Sequence, residues 1–188
     1  MGSKRKRISQ NLTVVTPRGL ANESDRGCVI LGTSVIDGWL TRLHEMYVTA
    51  HLAGNPQCKD ILSSLFGEYG PLNSFNGKIK MAFAYGLISS AEYNILNSVR
   101  KLRNEAAHET IIFRFDDEGV KRLVNQLTEF ANELTIDLIN EKLILNDVQE
   151  HKRIFIIIHV GLMTALNDKL KEYAKPIIKK HKDNNPEA

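Results

Sequence analysis

Ser89-Ser90-Ala91-Glu92-Tyr93-Asn94-Ile95-Leu96-Asn97-Ser98-Val99-Arg100-Lys101-Leu102-Arg103-Asn104-Glu105-Ala106-Ala107-His108 is the stretch on which the fold turns. Ile95, Val99, Leu102 and Ala106 recur at intervals of 4, 3 and 4 residues, the spacing of one apolar face of an α-helix. At about 100° per residue, Arg100, Arg103, Asn104, Ala107 and His108 share one arc of about 140° on the opposite side. Ser89 and Glu92 fit a capping box: the hydroxyl caps the helix start while the carboxylate reaches back to a freed amide. The stretch therefore predicts a helix with its inner face in a core and its outer face carrying guanidinium, amide and imidazole groups.

The flanking sequence extends the same pattern. Upstream, Asn73 or Ser74 caps a helix with apolar Ile79, Ala82, Phe83 and Ala84, and Gly86 stands where a left-handed C-terminal glycine is expected. Cys58 to Phe66 reads as a short helix before the turn Gly67 to Pro71. Asn22 reads as an N-cap, with Glu23 and Asp25 in the first turn of a helix that reaches about Leu52. Gly27, Gly32 and Gly38 each cost that helix about 1 kcal/mol against alanine, so close approach by a neighbouring helix is expected to compensate. Ser9 to Leu20 lacks helical period and reads as extended. Downstream, Asp116, Asp117 and Glu118 open a helix whose stripe is Val120, Leu123, Val124, Leu127, Ala131, Leu134 and Leu138. Ile154 to Val160 could be a strand by composition, but no second strand exists to pair with it. Gln149 to Tyr173 is therefore read as a buried helix. The expected fold is all-α: one helical bundle of five or six helices over residues 21–175, preceded by a basic extended segment (1–20) and followed by a Lys-rich tail (176–188).

The composition is ordinary for a globular chain: 188 residues, 43% hydrophobic and 25% charged, which excludes collagen-like and wholly disordered classes. The formal charge of +3 conceals an asymmetry. Lys4, Arg5, Lys6 and Arg7 and the six lysines from Lys169 onward lie near the ends, and Ile8 to Asp168 holds 15 basic against 19 acidic residues. The body is thus mildly acidic, and the basic ends are the segments suited to nucleic-acid contact by charge alone. No apolar run has the roughly 18 residues of a membrane span, and the basic N-terminus lacks the apolar stretch of a signal peptide. With only Cys28 and Cys58, no disulfide framework is expected. These features point to the cytoplasm.

Chemistry-bearing groups concentrate on one helix. The Met81–Asn97 segment imitates a helix-turn-helix, but Glu92 falls where that motif buries an apolar residue. Its would-be reading positions Ser90, Tyr93, Asn94 and Asn97 carry no positive charge, so a plain helical hairpin is expected. Asp37, near Thr33, Ser34 and Leu40 on its helix, is expected to face inward and to pair with Arg26, Arg100 or Arg103, because a buried charge without a partner is costly. His44 and His51, seven residues apart, are too distant to share a metal without further ligands. No metal or other cofactor is expected, and no nucleotide-binding or nucleophile motif is present.

Arg103-Asn104-Glu105-Ala106-Ala107-His108 resembles the arginine, four-to-six residues, histidine signature of the HEPN superfamily, small helical bundles that often dimerise. That resemblance implies, as one alternative, a metal-independent ribonuclease. In it His108 would handle the ribose hydroxyl or leaving-group proton, Arg103 would stabilise phosphate charge, and Asn104 would orient the pair across a homodimer cleft. A longer resemblance runs over about residues 20–145: Glu23-Ser24-Asp25-Arg26-Gly27, Gly70-Pro71-Leu72, Ser74-Phe75, Lys78-Ile79, Ala84-Tyr85-Gly86-Leu87-Ile88, Ile95, Arg100 to His108, and Phe115-Asp116-Asp117. This pattern is similar to the mannitol operon repressor (MltR-like) family. It implies an all-helical negative regulator of mannitol-operon transcription. Because that family has no well-recognised DNA-reading module, action through contacts with a regulatory protein partner is the favoured reading, leaning away from an enzyme, with the ribonuclease as the alternative. The polar cluster expected to carry that role comprises Glu23, Asp25, Arg26, Asp37 and Arg100, joined by Arg103, Asn104 and His108. A third alternative is nucleic-acid binding through Lys4, Arg5, Lys6 and Arg7.

Overall fold

The computed structural model describes residues 15–108, 112–131 and 145–184, which form α1 (Pro17–Asn22), α2 (Asp25–His51), α3 (Cys58–Leu65), α4 (Phe75–Ala84), α5 (Ser90–His108), α6 (Glu118–Ala131) and α7 (Glu150–Asn184). No strand occurs among the described residues. Of the expected features, Lys4 to Arg7, Leu134 and Leu138 lie outside them.

α5 forms as its sequence dictates. Ser89 Oγ accepts from the Glu92 amide at 3.2 Å, and Glu92 Oε2 accepts from the Ser89 amide at 2.6 Å. Ile95, Val99, Leu102 and Ala106 are fully buried, and the helix packs on α2, α4 and α6. Before it, α4 ends in a Schellman motif: Gly86 takes φ +68°, its amide donates to Phe83 O at 3.0 Å, and the Leu87 amide donates to Ala82 O at 2.8 Å. A left-handed residue without Cβ is needed there, and this tight reversal sets α4 against α5.

Two expectations at the N-terminal side need correction. The extended lead-in ends earlier than expected, because Thr16 caps a short helix: its Oγ1 accepts from the Gly19 amide at 3.0 Å, and Pro17 occupies the first turn, where its missing N–H costs nothing. Asn22 consequently closes α1, and Ser24 caps α2, accepting from the Gly27 amide at 3.0 Å. With this additional helix the described residues hold seven helices, against the expected five or six. In α2 the expected close approach of a neighbouring helix occurs at Gly32, where a Cβ would stand 3.1 Å from the Phe155 ring of α7. At Gly27 it does not, since the nearest groups are Glu23 and Ser24 of the cap itself.

α7 is helical, as the lone-strand argument requires, and runs past Tyr173 to Asn184. Phe155, Ile156, Ile158, Leu162 and Leu166 enter one continuous core with Leu20 of α1, Ile36 and Leu40 of α2, Ile79 of α4, Ile95 of α5 and Val124 of α6. Among the described helices, α3 alone contributes no buried residue. No helix among the described residues is long and apolar enough to cross a membrane.

Candidate functional site

The outer arc of α5 borders a cavity of about 420 Å³. Arg100, Arg103 and Asn104 form one wall because residues three and four apart share a helix face. Thr33, Ser34 and Asp37, again one helical face, form the α2 wall. The third wall is the start of α4 with the residue before its cap: Asn73, Ser74, Phe75 and Asn76. Ser74 caps α4, its Oγ accepting from the Gly77 amide at 3.0 Å. Gly77 is required there, since a Cβ would come within 2.0 Å of Pro71 O. This close approach holds the 66–74 turn against α4 and so shapes the rim.

Asp37 is anchored by a cation, though not one of the expected arginines. Lys78 Nζ donates to Asp37 Oδ1 at 2.8 Å, with the lysine nearly buried and the carboxylate about a third exposed. Lys78 supplies the pairing because α4 places it one turn before Ala82, on the buried face. The arginines on α5 are thereby left without the acid. Among the described residues, neither Arg100 nor Arg103 has a carboxylate within ion-pair distance; Arg103 donates only to Asn104 Oδ1, at 3.4 Å. Two buried polar atoms on the lining residues have no partner: Thr33 Oγ1 and Arg100 Nε. Thr33 is only 3% exposed, so its unpaired hydroxyl cannot simply turn to bulk water.

The remaining expected site residues lie elsewhere. His108 ends α5, exposed, and is not part of the cavity wall. It stands about 6 Å further along the helix axis than Asn104 by helical rise. Asp25 is occupied structurally: Oδ2 accepts from the Phe115 amide at 3.0 Å, and Oδ1 lies 3.4 Å from Lys152 Nζ of α7. Glu23 is exposed, and its carbonyl accepts from Lys152 Nζ at 2.6 Å. Arg26 follows on α2, half-buried. The structure thus brings Asp37, Arg100, Arg103 and Asn104 together, and leaves Glu23, Asp25, Arg26 and His108 outside the cavity.

Sequence reasoning missed Lys78, Asn73 and Asn76. For Lys78 the signal was available: a charged residue four before Ala82 and adjacent to Ile79 lies on the apolar side of its helix. For Asn73 and Asn76 no periodicity speaks, because they belong to a turn and a helix start.

His44 and His159 are core groups. His44 Nε2 donates to Lys78 O at 2.9 Å, and burial lowers its pKa. His159 is pushed down to about 4 by burial among apolar side chains. Cys28 and Cys58 are free thiols, and burial pushes Cys28 up to about 12. No group of three or more metal-ligating side chains occurs among the described residues.

The family model described as mannitol repressor matches residues 48–173, about two-thirds of the chain, from the end of α2 into α7. No curated protein matches the chain.

Proposed function

We propose that this chain, which belongs to the mannitol repressor family, lowers transcription of a mannitol operon by contacting another protein rather than by reading operator DNA. The observation that carries this is the position of α5. As the second helix of the α4–α5 hairpin it would have to be the reading helix, and it is instead wedged against α2, α4 and α6. A reading helix must lie in the major groove with its side chains free to reach base edges. Here Tyr93 packs on Phe83 at 4.6 Å between ring centres, Asn97 Nδ2 donates to Tyr93 O in its own helix, and buried Glu92 pairs with Lys169 of α7 at 3.2 Å. The acidic balance between Ile8 and Asp168 also disfavours a phosphate-gripping face. In this reading the chain acts in the cytoplasm as a homodimer, without a cofactor or enzymatic step. The expected result is repression of a mannitol-operon reporter in cells, together with no specific shift of operator DNA by the purified chain in a gel. A specific shift by the chain alone overturns the protein-contact mechanism, and loss of repression overturns the regulator.

A second reading, a HEPN-type ribonuclease, draws on the exposure of both Arg103 and His108 on α5. Within one straight helix the two side chains diverge by about 140°, so this reading needs a second copy to complete the cleft. Metal-free cleavage of labelled RNA that disappears in His108→Ala would support it. No cleavage, or cleavage that survives the substitution, removes it.

A further inference from the structure

We propose that the cavity between α2, α4 and α5 binds a small hydroxylated phosphate monoester, a ligand of polyol-phosphate size. Its effect on transcription rests on the regulator reading above; the binding itself does not.

Asp37, the acid in the wall, is matched by Lys78, whereas Arg100 and Arg103 face the same space without a carboxylate among the described residues. Two guanidinium groups at one cavity suit a dianionic phosphate, which accepts paired N–H donors. The start of α4 adds to this. Ser74, Phe75 and Asn76 bring the positive end of a ten-residue helix to the wall, where anions are favoured.

Thr33 Oγ1 and Arg100 Nε are buried without partners in the residues around the cavity, and unpaired buried polar atoms are rare enough in folded proteins to need a reason. Asn76 and the free Nδ2 of Asn104 can donate, Ser34 can still accept, and Asp37 keeps an oxygen for a hydroxyl donor. Only Phe75 is apolar, so the lining favours a ligand rich in hydroxyls over a hydrocarbon. A volume of about 420 Å³ accommodates such a molecule and is in the range of small-ligand sites.

Isothermal titration of the full chain at low salt tests this, with mannitol 1-phosphate, inorganic phosphate and mannitol as separate titrants. The expected result is one-to-one binding of the hexitol phosphate, about tenfold or more tighter than either fragment, because both the anion and the hydroxyl contacts contribute. Arg103→Gln, at an exposed position, is expected to weaken it by about tenfold, the loss of one charged hydrogen-bonding partner. Asn76→Asp, which sets a negative charge against the phosphate, serves as the second variant if Arg103→Gln is poorly folded. Absence of saturable binding overturns the site, and so does binding unchanged in Arg103→Gln and Asn76→Asp. Phosphate binding as tightly as its ester overturns the polyol part. A single-stranded RNA oligonucleotide that competes and is cleaved in a His108-dependent manner assigns the cavity to RNA and overturns the small-ligand proposal. The failures are distinguishable: a chain that binds the ester but does not repress loses the regulator reading, and one that represses without binding loses this site.

Discussion

At the residue scale, the buried histidines determine how the protein responds to acid. His159 is 3% exposed with Nδ1 unpaired, and its pKa of about 4 lies below the ordinary histidine value. The unfolded chain takes up a proton there as pH falls below about 6.5, while the folded chain resists until about 4, so stability is complete above that window and declines through it. By pH 5 the expected loss from this group is on the order of 2 kcal/mol. His44 is shifted in the same direction, also by burial. Urea unfolding at pH 7.5 and pH 5 should therefore give a lower midpoint in acid, and His159→Leu should flatten that difference. An equally steep pH dependence in the variant would assign the acid sensitivity to other groups.

At the element scale, Glu92 performs two jobs. It closes the capping box of α5, and its nearly buried carboxylate pairs with Lys169, joining the start of α5 to α7. Ser89→Ala removes only one capping bond and should cost about 1 kcal/mol. Glu92→Ala removes the reciprocal bond and the interhelical pair together, and should cost roughly 2 kcal/mol or more. Chemical denaturation of the two variants measures the difference; equal costs would mean that the Lys169 pair adds nothing.

For the whole molecule, one core cluster draws on every helix except α3. Trp39 packs against that cluster, so its fluorescence reports on the same unit as the helical signal. Unfolding curves followed by Trp39 emission and by far-ultraviolet circular dichroism should coincide in midpoint, the signature of a single cooperative unit. Separated midpoints would show that α7 or the α4–α5 hairpin melts independently. At this same scale the excess of basic over acidic residues lies near the chain ends while the body is acidic on balance, which favours the proposed protein contact over a duplex grip.

Helical period, capping chemistry and glycine placement made most of the fold legible, because these are local: Ser89 and Glu92 meet within one turn, Gly86 needs only its own φ, and Ile95 to Ala106 reveal a buried face whatever covers it. α1 escaped because Thr16-Pro17 starts a helix too short to show a period. The site was legible only in part. The α5 arc placed Arg100, Arg103 and Asn104 together, yet which cation meets Asp37 depends on how α4 lies across α2, and Lys78 rather than an arginine is brought within 2.8 Å. Likewise Asp25 could be read as a helix-start acid, but its engagement with Lys152 and Phe115 required α7 and the segment after α5 to arrive from far along the chain. Short-range order is written in neighbouring residues; the pairing of charges across helices is decided by packing, where burial forces each ion to find whichever partner the assembled core puts within reach.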